Sequence, residues 1–388
     1  MRILQITKYY YPSFTFGGPV SCTYNISNYM VKQGHDVTVY ATDAANISTN
    51  ERIKERFRMI NGAKVFYFRN VAKLYGLFMS PEIISALNNN RDDFDVVHLH
   101  EYRTFQNLAF YYSRKKDVPY VLSIHGEFEY TQEPLDVFLL RQLFNRSFGR
   151  KLLKNATKLF ALTTLEAHQL SQSGIDENKI VTIPNAINPE DFSNLPPKGY
   201  FRNLFGLKDE EIILYVGRIS KIKGLDILVE AFSLLKGQNN VKLVLAGADD
   251  GFLRPLQHLV ASFKLKDKVL FTGALTHEQK LGALNDASVI VYASRQEGFP
   301  IVPLEAGIME KPIIVSDHPS MDFVKKGNFG IVVEWGNIEQ LKEALTKLLE
   351  NRMFAMKLGQ NGRKFVTKNY TWDTIGKRIE DLYYSISR

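Results

Sequence analysis

The chain has 388 residues, 45% of them hydrophobic, which exceeds the size at which one hydrophobic core keeps growing and predicts a globular protein of two domains. Its longest apolar runs fall well short of the ~20 residues that cross a bilayer, and the segment after Met1 lacks a signal-peptide pattern, so we expect a cytoplasmic protein. The formal net charge of +8 accompanies no recognised nucleic-acid motif, and the single cysteine, Cys22, excludes an internal disulfide.

The first half of the chain alternates short apolar runs with helical patterns, which is typical of a parallel sheet covered by helices on both faces. Ligands of such open sheets bind at the carboxyl ends of the strands, so residues that directly follow strands are the candidates for a site. The strands predicted in this half are 3–6, 37–40, 65–68, 96–99, 120–123 and 158–162.

Two features of this half follow predicted strands. The pair Gly17-Gly18 comes after the first strand, where glycine lets the backbone approach a ligand closely, although paired glycines also form ordinary turns. His125 and Gly126 follow the fifth strand, so we expect an imidazole at the sheet edge beside a residue without a side chain. This position favours a functional histidine over a structural one.

A basic amphipathic segment comes next. No acidic residue occurs from Val137 to Leu165, whereas arginines and lysines alternate with leucines and phenylalanines at spacings of three and four. This pattern predicts a helix over residues 137–158. Two interpretations stay open: the helix rests on an anionic membrane surface, which places the protein peripherally at the inner membrane face, or it packs on its own domain with a solvated basic face.

A turn-rich stretch from Ile183-Pro184 to Pro196-Pro197 has no hydrophobic period and indicates the domain boundary. The pattern of strands and helices then restarts, which predicts a first domain over 1–192 and a second domain from 193 onward. The strands predicted in the second half are 212–216, 241–245, 269–271, 289–292 and 312–315.

Two cations follow the first strand of the second half, Arg218 after Gly217 and Lys223 before Gly224. The bidentate fork of an arginine and the point charge of a lysine, five residues apart, suit a diphosphate, although a solvated basic loop has the same composition. A later strand runs into Leu275, where exposed backbone is suited to reading a nucleotide base.

Two acids, Glu297 and Glu305, flank Gly298-Phe299-Pro300 between a predicted strand and the apolar stretch 301–308. We expect Pro300 in the first helical turn, where its missing N–H costs nothing. The free amides would then face an anion at the helix N-terminus, and Glu305 would accept hydrogen bonds from sugar hydroxyls. This combination suits a nucleotide-sugar, whereas two solvated acids at a helix start are the alternative.

Motifs over nearly the whole chain carry a resemblance to a known family. They are Gly17-Gly18, His125-Gly126, Pro184-Asn185, Gly217-Arg218, Lys223-Gly224, Glu297-Gly298-Phe299 and Glu305-Ala306. In order and spacing they resemble the retaining glycosyltransferases with the GT-B fold. The resemblance implies an α/β fold of two Rossmann-like, doubly wound domains that face a cleft. A C-terminal helix over 372–388 would return to the first, acceptor-side domain, and the donor would bind to the second domain over 193–371.

The resemblance also implies roles for single residues. Arg218 and Lys223 would neutralise the donor diphosphate, and Glu305 would hold the ribose. Glu297 and His125 would contact the transferred sugar. The remaining donor-site residues would be Gly17, Gly18, Leu275, Gly298, Phe299, Pro300 and Ile301.

The implied reaction moves a hexose-type sugar from a nucleotide diphosphate sugar, such as a UDP-sugar, to a lipid-linked or saccharide acceptor in glycan or cell-surface polysaccharide synthesis. We expect retention by front-face attack, with no metal and no cofactor, and a covalent glycosyl-enzyme is the lesser option. Asp93-Phe94-Asp95, and His98 with His100, offer metal-ligand types, but their places at a strand entry or interior favour turn and packing roles.

Two departures from the family pattern concern the donor. Ala186 follows Asn185 where many members have glycine, and residues 317–322 replace a common Gly-Gly-x-Pro-Glu loop. These changes leave the identity of the donor sugar open. A sugar-nucleotide epimerase and a non-catalytic nucleotide-sugar-binding protein remain the alternative functions.

Overall fold

A computed structural model describes residues 1–13, 17–46, 51–74, 77–90, 93–113, 118–126, 135–235 and 240–387. The chain forms two compact units, Met1–Asn185 together with Trp372–Arg388, and Ala186–Thr371. Residues 186–192, which the sequence analysis assigns to the first domain, therefore belong to the second unit. The reason is a backbone pairing inside that unit, because the Ile187 amide donates to the Tyr370 carbonyl at 2.9 Å.

The first unit contains an eight-stranded sheet and a separate two-stranded hairpin. The strands are β1 Arg2–Ile6, β2 Asp36–Thr42, β3 Phe57–Ile60, β4 Ala63–Phe68, β5 Ala72–Leu74, β6 Leu77–Met79, β7 Val96–His100, β8 Tyr120–Ser123, β9 Lys158–Ala161 and β10 Ile180–Thr182. In the large sheet the order is β10-β9-β8-β7-β1-β2-β4-β3, and every pair is parallel except the antiparallel pair β3–β4. The hairpin is the pair β5–β6.

Helices connect these strands. They are α1 Gly18–Lys32, α2 Glu82–Asn90, α3 Phe105–Ser113, α4 Leu135–Phe144, α5 Arg150–Asn155 and α6 Thr164–Gln172. A π-helical turn over Asn145–Gly149 joins α4 to α5, so the helical path continues from Leu135 to Asn155. The side chains of β7 and β8 are buried along their whole length, as expected for central parallel strands.

The second unit contains a six-stranded sheet in which all pairs are parallel. The strands are β11 Glu211–Val216, β12 Val241–Ala246, β13 Val269–Gly273, β14 Val289–Tyr292, β15 Ile313–Ser316 and β16 Gly330–Val333. Their order is β13-β12-β11-β14-β15-β16, so β11 and β14 are central neighbours. The carboxyl ends of β11 and β14 therefore place their following loops side by side.

The helices of the second unit cover this sheet. They are α7 Tyr200–Phe205, α8 Leu225–Ser233, α9 Leu253–Ser262, α10 His277–Asp286, α11 Val302–Ile308, α12 Asp322–Lys326, α13 Ile338–Glu350 and α14 Arg352–Asn369. Helix α10 begins with a capping box, in which the Thr276 side chain accepts from the Gln279 amide and the Gln279 side chain accepts from the Thr276 amide.

The last helix, α15 over Trp372–Ile386, packs on the first unit. Its Glu380 accepts at 2.8 Å from His35, and the Tyr383 hydroxyl lies 2.6 Å from His98 Nδ1. Gly376 lies so close to the Tyr29 ring that an added Cβ would approach it to 2.4 Å. Among the described residues, no helix has the length and apolar character needed to cross a bilayer.

The structure contains strands that the sequence analysis does not predict. Strands β3 and β10 form the two edges of the first sheet, and β16 forms an edge of the second. Edge strands are covered on fewer sides, so their side chains are only partly buried, as in β10, where all three residues have intermediate exposure. Such segments lack the continuous apolar run that identifies a central strand.

Candidate functional site

The centre of the candidate site in the second unit is an ion pair between Lys223 and Glu297. Lys223 ends the short 3-10 turn after β11, and Glu297 lies in the loop after β14. Both side chains are buried, with 8% and 10% of their surface exposed. The sequence analysis predicts both residues but not their pairing, which depends on β11 and β14 being neighbours in the sheet.

The backbone of the two loops fixes this pair. The Arg295 amide donates to the Ile222 carbonyl at 2.8 Å, and the Ser294 hydroxyl donates to the same carbonyl at 3.1 Å. Gly224 has a φ of 65° and lies against the end of β14, where an added Cβ would come within 2.5 Å of the Ala293 carbonyl oxygen. Only glycine fits both the left-handed backbone and this close approach.

Two stacked tyrosines lie beneath the ion pair. The rings of Tyr215, in β11, and Tyr292, in β14, are 6.0 Å apart, and the Lys223 ammonium lies 5.6 Å from the centroid of the Tyr292 ring. Burial, and then the negative charge of Glu297, raise the pKa of both phenols well above the usual range. Both tyrosines therefore stay neutral, and the Tyr292 hydroxyl is a hydrogen-bonding partner of Glu297.

Arg218 differs from Lys223 in its surroundings. Its guanidinium donates to Asp250 at 2.9 Å, and 63% of its side chain is exposed. The Tyr215 hydroxyl donates to the Arg218 carbonyl at 2.8 Å, which holds the backbone while leaving the side chain accessible. Arg218 thus offers a charge at the surface, whereas Lys223 offers one in a buried pair. The partner Asp250 was not predicted from the sequence.

The loop over residues 298–301 is anchored by an aromatic cluster. The Phe299 ring stacks on Phe323 at 5.0 Å and on Tyr370 at 5.9 Å. The prediction that Pro300 lies in the first helical turn is wrong, because α11 begins at Val302 with Ile301 as its N-cap and Pro303 in its first turn. Pro303 fills the position that favours proline, so Pro300 lies in the preceding loop.

Glu305 is buried in α11 and has two different oxygens. Lys280, in α10, donates to its Oε1 at 2.5 Å. Its Oε2 is buried and has no hydrogen-bonding partner among the described residues. A buried carboxylate oxygen without a hydrogen bond raises the free energy of the folded protein. A ligand hydroxyl that donates to this oxygen would remove that cost. The sequence analysis misses Lys280, whose only signal is its place one turn into a well-capped helix.

Leu275 lies between β13 and α10 and packs, partly buried, against the core of the second unit. The loop holding it is short, because the capping box at Thr276 starts the helix at once. Lys280, which holds Glu305, lies one turn into the same helix.

In the first unit, Gly17 and Gly18 stand at the start of α1. Gly17 is its N-cap with a φ of 89°, a left-handed backbone that favours glycine. Among the described residues, no atom lies within 4 Å of a Cβ added at Gly17 or Gly18, so a side chain at either position would not clash with them. A ligand contact with this backbone stays a prediction.

His125 lies two residues after the end of β8 and has a φ of 58°, which is unusual for a residue with a side chain. The carboxylate of buried Glu166 holds this turn, since it accepts from the Gly126 amide and the Leu162 amide, each at 2.7 Å. Burial, and then the charge of Lys8, lower the pKa of His125 to about 4. The imidazole is therefore neutral at neutral pH.

Further charged residues surround the end of the first sheet. Lys8, after β1, pairs with Glu101, after β7, at 2.9 Å, and both side chains are largely buried. Glu101 also has a left-handed backbone, with a φ of 63°. The sequence analysis misses Lys8, Glu101 and Glu166, because only the strand order shows that the residues after β1, β7, β8 and β9 are neighbours.

Three of the residues considered as metal ligands, Asp95, His98 and His100, have protein partners. Asp95 accepts from the Arg2 amide at 2.7 Å and so fastens the entries of β1 and β7. His98 and His100 are fully buried in β7, and each contacts side chains of neighbouring elements through both ring nitrogens. These contacts agree with turn and packing roles.

The basic segment forms α4, the π-helical turn and α5, which ends at Asn155, and Lys158 begins β9, in agreement with the strand predicted over 158–162. Leu152 and Leu153 are buried in the core of the unit. Other large apolar side chains of the segment are exposed to solvent, and they are Phe138, Leu139, Leu140, Leu143 and Phe148. The segment therefore packs through its end and exposes an apolar surface along α4.

Several solved structures are similar to this chain in fold. Sucrose-phosphate synthase of Thermosynechococcus elongatus is 19% identical with a TM-score of 0.80, covering 99% of this chain and 98% of that one. HepE of Anabaena, in complex with UDP and glucose, is 17% identical with a TM-score of 0.76, covering 99% and 100%. The fold is that of the GT-B glycosyltransferases.

Family models match both units. Residues 16–191 match Glycosyltransferase Family 4, and residues 201–365 match Glycosyl transferases group 1. The chain belongs to the group 1 glycosyltransferases.

Sequence relatives agree with this assignment. An uncharacterized glycosyltransferase of Methanocaldococcus jannaschii is 28% identical over 99% of this chain and 98% of its own length. The capsular polysaccharide biosynthesis glycosyltransferase CapM of Staphylococcus aureus is 28% identical over 59% of this chain and 61% of its own length.

Proposed function

We propose that this glycosyltransferase moves a hexose-type sugar from a nucleotide diphosphate sugar to a lipid-linked or saccharide acceptor, with retention of the anomeric configuration and without a metal ion. The observation that carries the proposal is Glu305, a buried carboxylate with one oxygen held by Lys280 and the other without a protein partner. A ribose hydroxyl would satisfy that oxygen.

Charge at the neighbouring loops supports a diphosphate. Arg218 presents an accessible guanidinium, and Lys223 lies in the buried pair with Glu297. On diphosphate binding, Arg218 would exchange Asp250 for phosphate oxygens, while Lys223 would share its protons between Glu297 and the ligand. The complex of HepE with UDP and glucose supports a uridine nucleotide as the first donor to test.

The transferred sugar would meet Glu297. Glu297 already forms hydrogen bonds with Lys223 and Tyr292, and its remaining lone pairs would accept hydrogen bonds from sugar hydroxyls. We propose front-face attack by the acceptor hydroxyl while the nucleotide diphosphate departs, so the main catalytic task is to stabilise the leaving charge. Lys223 and Arg218 would supply that stabilisation.

A capsular polysaccharide relative and the exposed apolar helix support a lipid-linked acceptor. In α4, the exposed Leu139 and Leu143 are four residues apart and so share one face. Arginines and lysines continue along the π-helical turn and α5. We propose that this surface contacts the anionic inner face of a membrane, where lipid-linked saccharides are presented.

The test is a screen of UDP-sugars and other nucleotide-sugars, followed by acceptors with the best donor and NMR of the anomeric linkage. We expect a product with the anomeric configuration of the donor, formed equally well in a metal chelator. An inverted product, or turnover that disappears in chelator and returns with a divalent cation, would contradict the proposal.

The same screen separates the alternative functions. An epimerase converts the donor sugar with no acceptor present, and a binding protein retains the donor unchanged. Glu305→Gln should reduce transfer at least tenfold, since it weakens a charge-assisted hydrogen bond. Glu310→Gln is the matched control, because Glu310 also forms an ion pair, with Arg363, but at the surface.

A further inference from the structure

A line of three side chains leads from the core of the first sheet to His125. Gln5 in β1 and His100 in β7 are fully buried. His100 Nε2 lies 3.0 Å from Gln5 Oε1, and His100 Nδ1 lies 3.1 Å from His125 Nε2. The rings of His100 and His125 are stacked with centroids 5.4 Å apart.

The chemistry of these groups fixes where the protons lie. Burial lowers the pKa of His100 well below its usual range, so its ring is neutral and has one donor and one acceptor nitrogen. With the oxygen of the Gln5 amide facing His100 Nε2, the proton of His100 is on Nε2, because an amide oxygen only accepts. His100 Nδ1 is then an acceptor, and among the described residues the proton that it receives is the one on His125 Nε2.

We propose that Gln5 and His100 are positioning residues that hold His125 as the neutral Nε2–H tautomer. His125 Nδ1 is then an acceptor, and it takes a hydrogen bond from a substrate hydroxyl. The identity of that hydroxyl rests on the proposed transferase function, whereas the tautomer does not.

The backbone contributes to the same arrangement. His125 has a left-handed φ, and Glu166 holds the adjacent Gly126 amide at 2.7 Å. The ring and the main chain of His125 are thus fixed by different partners. Among the described residues, Lys8 and Glu101 are charged groups near this line, and they form an ion pair with each other. The neighbouring His98 is neutral because it is buried.

A second histidine of the same strand provides a matched control. His98 is equally buried in β7, but its nitrogens contact the Tyr383 hydroxyl at 2.6 Å and the Ser123 hydroxyl at 2.7 Å. Tyr383→Phe removes one hydrogen bond from a buried histidine without touching Gln5, His100 or His125. This variant therefore measures how much the loss of one hydrogen bond to a buried histidine changes the protein when the line from Gln5 to His125 is intact.

The experiment is 15N NMR of the histidine rings of the full-length protein at pH 7.5, for the wild type, Gln5→Leu and Tyr383→Phe. We expect His125 to be protonated on Nε2 in the wild type and Tyr383→Phe. Gln5→Leu should give a mixture of His125 tautomers.

Kinetics give a second measurement on the same variants. Gln5→Leu should lower kcat/KM for the best donor and acceptor roughly fivefold to tenfold, the effect of one neutral hydrogen bond, whereas Tyr383→Phe should change it less than twofold. A wild-type His125 protonated on Nδ1, or a tautomer unaffected by Gln5→Leu, would overturn the proposal. Absence of any transfer with the expected tautomer in place would instead count against the proposed function.

Discussion

At the scale of single residues, the two candidate diphosphate ligands differ in what surrounds them. Arg218 is an exposed cation in a surface ion pair, and Lys223 is a buried cation whose partner Glu297 is equally buried. Exposed ion pairs contribute little to stability, whereas removal of one partner of a buried pair leaves an unpaired charge. Substitutions of the two residues should therefore differ in their effect on the free energy of unfolding.

We predict that Arg218→Met changes the free energy of unfolding by less than about 0.5 kcal/mol, whereas Lys223→Met lowers it by about 3 kcal/mol. Both substitutions should reduce donor turnover roughly tenfold or more, because each removes a charge-assisted contact. Urea unfolding and steady-state kinetics measure the two effects.

The double variant Lys223→Met with Glu297→Gln is the control for this prediction. It should recover part of the stability that Lys223→Met loses, since no unpaired carboxylate remains, but it should not recover turnover. Equal stabilities of Arg218→Met and Lys223→Met would show that the pair is not buried in solution.

Acid should destabilise the first unit through its buried histidines. The pKa of His125 is lowered to about 4, and those of His98 and His100 are also lowered, whereas unfolded histidine has a pKa near 6.5. Between these values the unfolded chain binds more protons, so stability falls as the pH drops from about 6.5 towards 4.

Unfolding free energies measured at pH 7.5 and pH 5 test this dependence. The loss of unfolding free energy between pH 7.5 and pH 5 should be smaller in His98→Asn, which removes one of the three buried rings. It should stay unchanged in His258→Asn, a substitution of an exposed histidine in α9. An identical pH dependence in both variants would contradict a contribution from His98.

At the scale of elements, α4 offers a surface whose function can be measured directly. We predict that Leu139→Gln with Leu143→Gln weakens binding to vesicles containing phosphatidylglycerol several-fold, because both side chains are exposed, by 57% and 63%. Cosedimentation with vesicles at low and high salt gives the affinity and its electrostatic part.

Leu204→Gln is the control for the vesicle experiment, since Leu204 is also an exposed leucine but lies in α7 of the second unit. Binding that is unchanged by the pair of α4 substitutions, or absent from anionic vesicles altogether, would favour the other interpretation, a helix packed on its own domain with a solvated basic face.

The sequence predicted the central strands well because their buried apolar runs are the pattern that parallel sheets require. It missed β3, β10 and β16, which lie at sheet edges and carry a weaker pattern. It also placed Pro300 in a helix, since it could not distinguish which of Pro300 and Pro303 opens α11. Local proline rules narrow a helix start only to a few residues.

The candidate site was predicted in part for a similar reason. Residues after strands, such as Lys223, Glu297 and His125, are recognisable because the carboxyl ends of parallel strands hold ligands. The partners of other site residues are not recognisable, because each contact joins elements whose adjacency follows from strand order. These partners are Lys280 for Glu305, Asp250 for Arg218 and His100 for His125. The residue types thus predict which loops form the candidate site, whereas the order of strands in the sheet determines which side chains contact each other.

At the scale of the whole molecule, two units of similar architecture carry different chemistry. The first holds buried neutral histidines, Glu166 and a glycine pair, and the second holds the ion pairs of Lys223 and of Glu305. The two units resemble each other in their pattern of strands and helices and not in their site residues. The two family models, each matching one unit, reflect the same division.

The central claim is that Glu305 and the cations of the second unit bind the nucleoside diphosphate. Isothermal titration calorimetry of UDP and GDP with the wild type, Glu305→Gln and Glu310→Gln tests it most directly. One of the two nucleotides should bind to the wild type. Its affinity for Glu305→Gln should be lower by about tenfold or more, and its affinity for Glu310→Gln should be within twofold of that for the wild type. Equal affinity of Glu305→Gln and the wild type for that nucleotide would contradict the account.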